Sequence, residues 1–139
     1  LEFRRVLFRS ADSMNLLIKK LSTEIKIENF NRKGLNWKKS ANDLDFVINI
    51  QPSKNNIKTT ENFTINVGVF SSKIHFITWG KNVENPKEVD CILRTRVGYF
   101  LNTKKDIWWN LNKDNFNEIK IELLEVIFNK ILPFFEKSF

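Results

Sequence analysis

Two arginines and a glycine at alternate positions form the most distinctive polar pattern of the chain. Arg94, Arg96 and Gly98 are each separated by one residue. Because successive side chains of a strand point to opposite faces, a strand here places both guanidinium groups on one face, with the glycine next along it. Guanidinium groups bind carboxylates and phosphates through paired hydrogen bonds. The pattern predicts a cationic floor for an anionic group, unless both arginines pair with sheet-face acids such as Asp45 or are simply solvated.

An acidic residue and two tryptophans follow this pattern, in the order Asp106-Ile107-Trp108-Trp109. If this segment is extended, the two indole rings point to opposite faces. One of them is then expected in the core. The other is expected at the sheet edge or on the open face, where tryptophan is a common interface anchor. The alternative is that both lie under the last helix, because tryptophan is buried on average.

Residues that could support catalysis or bind a metal ion are few. His75 is the only histidine and Cys91 the only cysteine. A histidine can act as a general base near neutral pH, but no serine or cysteine in a nucleophile turn accompanies it. One histidine and one cysteine cannot supply the three or four ligands of a common zinc site, and the four glycines form no phosphate-binding loop. The sequence predicts no catalytic residue, metal or cofactor, which favours a protein that is not an enzyme.

The chain is basic, with a formal net charge of +7. Beyond residue 13 the cations are scattered lysines together with only three arginines, Arg32, Arg94 and Arg96. Abundant lysine, asparagine, isoleucine and phenylalanine is also what A+T-rich codons produce. Because base recognition and bidentate phosphate binding favour arginine, nucleic-acid binding is not favoured. The expected partner is another protein.

The first ten residues resemble one translated frame of a short-read sequencing adapter. We expect residues 1–13 to be a non-native leader, of which residues 1–10 derive from the adapter and pack against nothing in particular while residues 11–13 are ambiguous, and the natural domain to span residues 14–139. The rival interpretation is a natural basic amphipathic arm. From Met14 onward the length suits a single domain with one core.

The composition also predicts the compartment. A single cysteine cannot form a disulfide within the chain, which is typical of reducing compartments. No apolar run approaches the roughly 20 residues of a membrane helix, and no signal peptide follows Met14. We expect a cytoplasmic protein that does not enter a membrane.

Hydrophobic periodicity predicts a helix at each end of the domain. The first spans about residues 14–27, with apolar positions at helical spacing. The second begins after Asp114, a plausible N-cap, and ends or kinks at Pro133. Consecutive strands between them favour an α+β fold: an antiparallel sheet of about five strands with both helices packed on one face. The strands are predicted at residues 35–38, 44–51, 63–70, 73–79 and 91–101, with 106–111 extending or closing the sheet.

Several short motifs in this order resemble the bacterial family catalogued as domain of unknown function 4304. The motifs are Phe63-Thr64-Ile65-Asn66-Val67-Gly68-Val69, then Arg96-Val97-Gly98, and Asp106-x-Trp108-Trp109. The segment 48–53 is similar to a strand of that family that ends in a Gln-x-Ser element, with Pro52 departing from the usual residue. The likeness covers most of residues 29–111. It implies a compact α+β domain and no activity, because none is assigned to the family.

Three hypotheses for function follow. The first is a non-enzymatic protein-binding module, in a concrete version an immunity protein or antitoxin that occludes another protein. Its surface would be one polar sheet face and a tryptophan, formed by Asn49, Gln51, Asn66, Arg94, Arg96 and one of Trp108 or Trp109. The second is a small enzyme or anion binder in which the two arginines, Asp106 and His75 converge in one pocket. The third is nucleic-acid binding.

Overall fold

A computed structural model describes residues 10–54, 60–101 and 105–138 of the chain. The expectation that residues 1–10 pack against nothing concerns, apart from Ser10, residues 1–9, which lie outside the described residues. Residues 10–13 form the first turn of helix α1 (Ser10–Ile25), and Ser13 is buried. The helix therefore begins four residues before Met14, and a natural start at Met14 stays a prediction.

Helix α1 follows the apolar pattern of its sequence. Leu17, Leu21 and Ile25 are buried at helical spacing. The helix passes into a 3-10 turn, Lys26–Glu28, and ends at Asn29, which adopts the left-handed conformation with φ of 66°. The predicted helix is present, and its end is tightened into the 3-10 turn.

Six strands form one antiparallel sheet within the described part of the chain. They are β1 (Asn31–Lys33), β2 (Asn36–Ala41), β3 (Leu44–Pro52), β4 (Glu61–Ser71), β5 (Leu93–Arg96) and β6 (Trp109–Leu111). Their order is β1-β2-β3-β4-β5, and β6 pairs with the first residues of β4. The predicted α+β class is confirmed. Strand β1 was not expected, because its three exposed polar residues carry no apolar alternation.

The register of β2 on β3 is fixed by a two-residue turn. Asn42 and Asp43 both have positive φ, 51° and 64°, and Ala41 pairs with Leu44. Asparagine and aspartate tolerate this conformation better than most residues, and two positive φ angles match the twist of a hairpin. This turn sets which residues of β3 share a face with β2.

The prediction of a strand at residues 73–79 is wrong. This segment is helix α2 (Ser72–Trp79). The Ser71 hydroxyl accepts a hydrogen bond from the Ile74 amide, and Gly80, with φ of 67°, closes the helix by donating to the Phe76 carbonyl. A serine N-cap and a glycine C-cap outweighed the β-branched and aromatic composition. His75 therefore lies on a helix and not on a strand.

The predicted strand at 91–101 is much shorter in the structure. Only Leu93–Arg96 pairs with β4, and residues Val97–Phe100 form a 3-10 turn. The segment predicted at 106–111 joins the sheet through Trp109–Leu111 alone. Two short strands, β5 and β6, therefore pair with different parts of β4, where the sequence predicted one long strand.

The C-terminal helix has three parts: α3 (Phe116–Val126), a π turn (Ile127–Ile131) and α4 (Leu132–Ser138). Asp114 is not the N-cap. Asn115 holds that position, and the Asn112 side chain accepts from the amides of both residues. Pro133 does not end the helix. The π turn widens the helix just before Pro133. In an ordinary α-helical turn the proline ring would clash with the backbone carbonyl four residues earlier.

The core lies between one face of the sheet and the two terminal helical segments. Alternate residues of β3 and β4 face it, and Phe135 of α4 stacks on Phe46 with ring centroids 4.6 Å apart. The Trp37 indole donates to the Ser22 hydroxyl at 3.1 Å and so ties α1 to β2. Both terminal helices thus cover one face, as the apolar periodicity predicted. Within the described residues, no helix is long and apolar enough to cross a membrane.

Glu61 at the start of β4 makes stability depend on pH. One oxygen of its carboxylate is buried without a hydrogen-bond partner, and desolvation raises the pKa of the carboxyl group above 4.5. A raised pKa in the folded state means that stability is greatest below about pH 4.5 and falls as pH rises through the folded-state pKa. We expect Glu61→Gln to unfold at higher urea concentration than the parent at pH 7, with the gain shrinking toward pH 4.5. The exposed Glu118→Gln change is the control, and parallel profiles for parent and Glu61→Gln would contradict the assignment.

Candidate functional site

The sheet face opposite the terminal helices carries a row of hydrogen-bonded amide side chains. The Asn66 amide donates to Asn49 at 3.0 Å and to Gln51 at 2.8 Å, and the Asn49 amide donates to Asn36 at 3.1 Å. Asn66 is buried within this row. Because each amide binds the next, the side chains are fixed in position before any partner arrives.

The two arginines extend this row at its β5 end. Arg96 pairs in register with Asn66, and Arg94 pairs with Gly68. Both face the same side as Asn49 and Gln51, and together with Thr95 they line a polar cleft of about 190 Å³. We call the surface formed by Asn49, Gln51, Asn66, Arg94 and Arg96 the amide–arginine face.

The prediction that Gly98 lies on the sheet face next to Arg94 and Arg96 is wrong. Gly98 belongs to the 3-10 turn, where a Cβ atom would lie 1.8 Å from the Lys105 carbonyl oxygen. The glycine of the sheet face is Gly68, on the strand beside Arg94. Gly98 instead lets the segment that carries Asp106 pass against the end of β5.

Asp106 and Trp108 hold Arg96 from two sides. The Arg96 guanidinium donates to the Asp106 carboxylate, and its central carbon lies 5.4 Å from the centre of the Trp108 ring. Trp108 is 38% exposed. Ion pairs and cation–π contacts at such exposure each contribute about 1 kcal/mol or less, so their main effect is to orient the guanidinium.

The two tryptophan rings point to opposite sides, as predicted for an extended segment. Trp109 is only 5% exposed and stacks on Phe63 at 5.7 Å in the core, whereas Trp108 remains at the surface beside Arg96. The alternative with both rings under the last helix is wrong. Trp108 is therefore the one that borders the amide–arginine face.

His75 does not join the arginines. Its ring lies 5.4 Å from Phe70, and it lines a separate cleft of about 540 Å³ between α2 and residues 83–92. The enzyme hypothesis requires the two arginines, Asp106 and His75 to converge in one pocket. His75 lies in a different cleft, so this convergence is incomplete. No group of three or more histidine, cysteine, aspartate or glutamate side chains suited to a metal ion occurs among the residues that the structure describes.

Helix α2 carries exposed apolar side chains that the predicted strand at residues 73–79 did not anticipate. None of its residues is buried, and its large apolar side chains are exposed, with Ile77 at 74% and Trp79 at 68%. We call these exposed side chains, which are distributed around the helix, the α2 patch; they are Ile74, Phe76, Ile77 and Trp79. The sequence did contain a signal for this helix. Ser71 and Gly80 can cap its two ends, and the apolar residues between them are not confined to one face.

The model of the family described as Domain of unknown function (DUF4304) matches residues 23–137. The chain belongs to this family. The resemblance drawn from its motifs is confirmed. No curated protein and no solved structure matches the chain.

The match places every residue of the candidate surfaces inside the DUF4304 domain. The amide–arginine face, Asp106, Trp108 and the α2 patch all fall between residues 23 and 137. The family description states no activity, so the function must be argued from the surfaces themselves.

Proposed function

We propose that this DUF4304 domain is a non-enzymatic, cytoplasmic protein-binding module that occludes another protein, as immunity proteins and antitoxins do. The α2 patch is the observation that carries the proposal. Four large apolar side chains stand exposed on one helix of eight residues. Large apolar side chains exposed in this number on one element are typical of interaction surfaces, and tryptophan is enriched at the energetic centres of such surfaces.

The α2 patch and the amide–arginine face are joined along the chain. Residues 83–92 lie beside α2, and Ile92 and Leu93, both exposed, lead directly into Arg94. Cys91 lies over Gly68, so this segment rests on the same sheet face as the arginines. An apolar patch beside polar, charged residues has the layout of a protein interface with its rim.

The fixed geometry of the polar side chains supports a protein partner. Binding normally costs entropy for each side chain that becomes ordered. Here Asn66 is already held by Asn49 and Gln51, and Arg96 by Asp106 and Trp108. Asn66 and Arg96 therefore lose little freedom on binding.

The experiment is affinity capture from the native host followed by reconstitution. The chain from Met14 onward serves as bait, and a retained protein is identified, purified and mixed with it to measure a 1:1 complex and its Kd. We expect Ile77→Lys to weaken the complex about thirtyfold or more, because hot-spot losses exceed about 2 kcal/mol. Ile27→Lys is the matched control, since Ile27 is 73% exposed in the turn after α1.

A complex that tolerates Ile77→Lys and Arg94→Glu as well as it tolerates Ile27→Lys contradicts the proposed surface. If no protein is retained and the purified domain instead binds inorganic phosphate or citrate, with loss in Arg94→Glu, the anion-binding alternative replaces the proposal. The polar cleft beside Arg94 and Arg96 is the feature that such an anion would occupy.

A further inference from the structure

A polar cleft of about 740 Å³ lies at the β1 edge of the sheet, far from β5. Strands β1 and β2 line it together with residues 85–87, and Pro86 of that segment is buried. The cleft carries three lysines, and we call it the β1 cleft, defined by Lys33, Asn36, Lys38 and Lys87. It shares no lining residue with the polar cleft beside Arg94.

The register of β1 on β2 places two of the lysines on one face with an amide. Lys33 pairs with Asn36, and Asn31 pairs with Lys38. Paired residues, and residues two apart on a strand, share a face of the sheet. This is the face of the amide row, because Asn36 is hydrogen-bonded to Asn49. All three residues of β1 are exposed, so burial of its side chains does not account for this strand.

The lysines of the β1 cleft are not neutralised by acids. No acidic residue lines the cleft among the residues that the structure describes, and Lys33, Lys38 and Lys87 make no ion pair with any of those residues. Two acids near the cleft are engaged elsewhere. Asp45 accepts from the serine hydroxyl opposite it on β2, whereas Asp90 accepts from the Lys87 backbone amide and lines the cleft beside α2.

The amide row delivers a hydrogen-bond donor to the same cleft. Asn66 donates to Asn49 at 3.0 Å, and Asn49 donates to Asn36 at 3.1 Å, so the bonds run in one direction toward the β1 edge. The Asn36 amide nitrogen donates to none of the described residues. Hydrogen bonds in series strengthen one another, which makes this last amide a better donor. Three ammonium groups and an amide donor suit a ligand composed mainly of acceptor oxygens.

We infer that the β1 cleft binds a group of two or three linked phosphates carried by a small ligand. Lysine binds phosphate oxygens as a compact point charge and needs no planar partner. Linked phosphates concentrate several negative charges and many acceptor oxygens in one group, which matches three lysines and Asn36. A cleft of about 740 Å³ has room for more than one phosphate. The arginine at this cleft, Arg32, donates to the Gly34 carbonyl, so the lysines carry the inference.

Nucleic acid fits this cleft less well than a small ligand. Single-stranded nucleic acid is held by stacking of its bases on aromatic side chains as well as by charge. No aromatic side chain lines the β1 cleft within the described residues. The cleft therefore recognises the phosphates and has no means of holding the bases.

The inference is tested by isothermal titration calorimetry on the full chain. Inorganic diphosphate is the probe, and citrate, an anion of similar charge built from carboxylates, is its control. Diphosphate is expected to bind at least about tenfold more tightly, because charge-assisted hydrogen bonds to its oxygens exceed those that citrate can make. Equal affinities would overturn the inference.

Protein variants locate the anion. Lys38→Gln is expected to weaken diphosphate binding about tenfold, since it removes a charge-assisted hydrogen bond. Asn36→Asp keeps an oxygen that can accept from Asn49 but replaces the donor by a negative charge, and it is expected to weaken binding more than about thirtyfold. Lys39→Gln is the matched control, because Lys39 pairs with Phe46 and faces the other side of the sheet. Equal losses in Lys38→Gln and Lys39→Gln would mean that net charge alone binds the anion and would overturn the inference.

Further ligands identify what carries the phosphates. ATP bound as tightly as inorganic triphosphate indicates a nucleotide, and exclusion of ATP indicates an inorganic chain; both results support the β1 cleft as a phosphate site. A ten-nucleotide RNA that displaces diphosphate at equal phosphate concentration would overturn the inference in favour of nucleic acid. A loss in Arg94→Gln without a loss in Lys38→Gln would place the anion beside β5 and overturn it as well.

This inference goes beyond the proposed protein-binding function and is independent of it. The β1 cleft and the α2 patch share no residue. A captured partner that is lost with Ile77→Lys leaves the phosphate site to be decided by diphosphate binding alone. Folding of each variant is checked by its urea midpoint, so that a loss of binding is not a loss of structure.

Discussion

Trp109→Ala is expected to lower the free energy of unfolding by about 3 to 5 kcal/mol, whereas Trp108→Ala lowers it by about 1 kcal/mol or less. The two residues are adjacent, but only Trp109 is buried, stacked on Phe63 between β6 and β4. Trp108 is 38% exposed, so its removal costs the contact with Arg96 and a smaller share of apolar burial. Equilibrium urea denaturation of the two variants measures the difference. Similar losses in both would mean that Trp108 also supports the core and is not a surface residue.

The Trp109→Phe change refines this result. The indole N–H of Trp109 is buried without a hydrogen-bond partner in the described structure, which costs free energy that phenylalanine would not incur. Phenylalanine keeps most of the apolar contact with Phe63. The loss for Trp109→Phe is therefore expected to be well below that for Trp109→Ala.

Gly98→Ala is expected to destabilise the domain by roughly 3 kcal/mol or more, at the upper end of what overpacking costs. The added Cβ atom would lie 1.8 Å from the Lys105 carbonyl oxygen and 3.1 Å from the Ile107 amide nitrogen. Both are backbone atoms, so no side-chain rotation relieves the contact. The whole segment from Lys105 to Ile107 must move, and with it the carboxylate that holds Arg96.

Gly80→Ala is the control for this prediction. A Cβ atom at Gly80 meets nothing within 4 Å, but the residue has φ of 67°. Its cost is conformational alone, about 1 to 2 kcal/mol. Urea midpoints of both variants measure the contrast. Equal losses would mean that the segment from Lys105 to Ile107 yields easily and does not fix the position of Arg96.

The parts of the fold that the sequence predicted well are those with a long, regular apolar period. Strands β3 and β4 alternate apolar and polar residues over nearly their whole length, so their existence and core-facing sides follow from the pattern. Helix α1 shows the same clarity at helical spacing. The large apolar side chains of these segments lie mainly on the core-facing side, which makes the period visible in the sequence, although β4 is buried on both faces.

The largest error falls where burial does not constrain the chain. Residues 73–79 contain β-branched and aromatic residues that favour strands, yet the segment buries nothing, and the caps Ser71 and Gly80 decide in favour of a helix. The sequence predicted that β5 continues to residue 101, because a glycine at position 98 is compatible with a strand as well as with a close contact between two backbone segments. Only the approach of Lys105 distinguishes the two.

The candidate surface was predictable in composition but not in arrangement. Alternation alone placed Arg94 and Arg96 on one face and separated the two tryptophans. The register that brings Asn49, Asn66 and Arg96 into one row depends on turns and pairings distant in sequence. No spacing within a single strand contains that information.

Helix α2 is separate from the core, and this affects which substitutions its residues can tolerate. No residue of the helix is buried, and its ends are closed by Ser71 and Gly80. Selection for folding therefore places few limits on the eight positions between these caps. Substitutions there are expected to leave the sheet and terminal helices unchanged. If the domain binds a protein as proposed, the segment that meets the partner is then separate from the frame that holds the fold together.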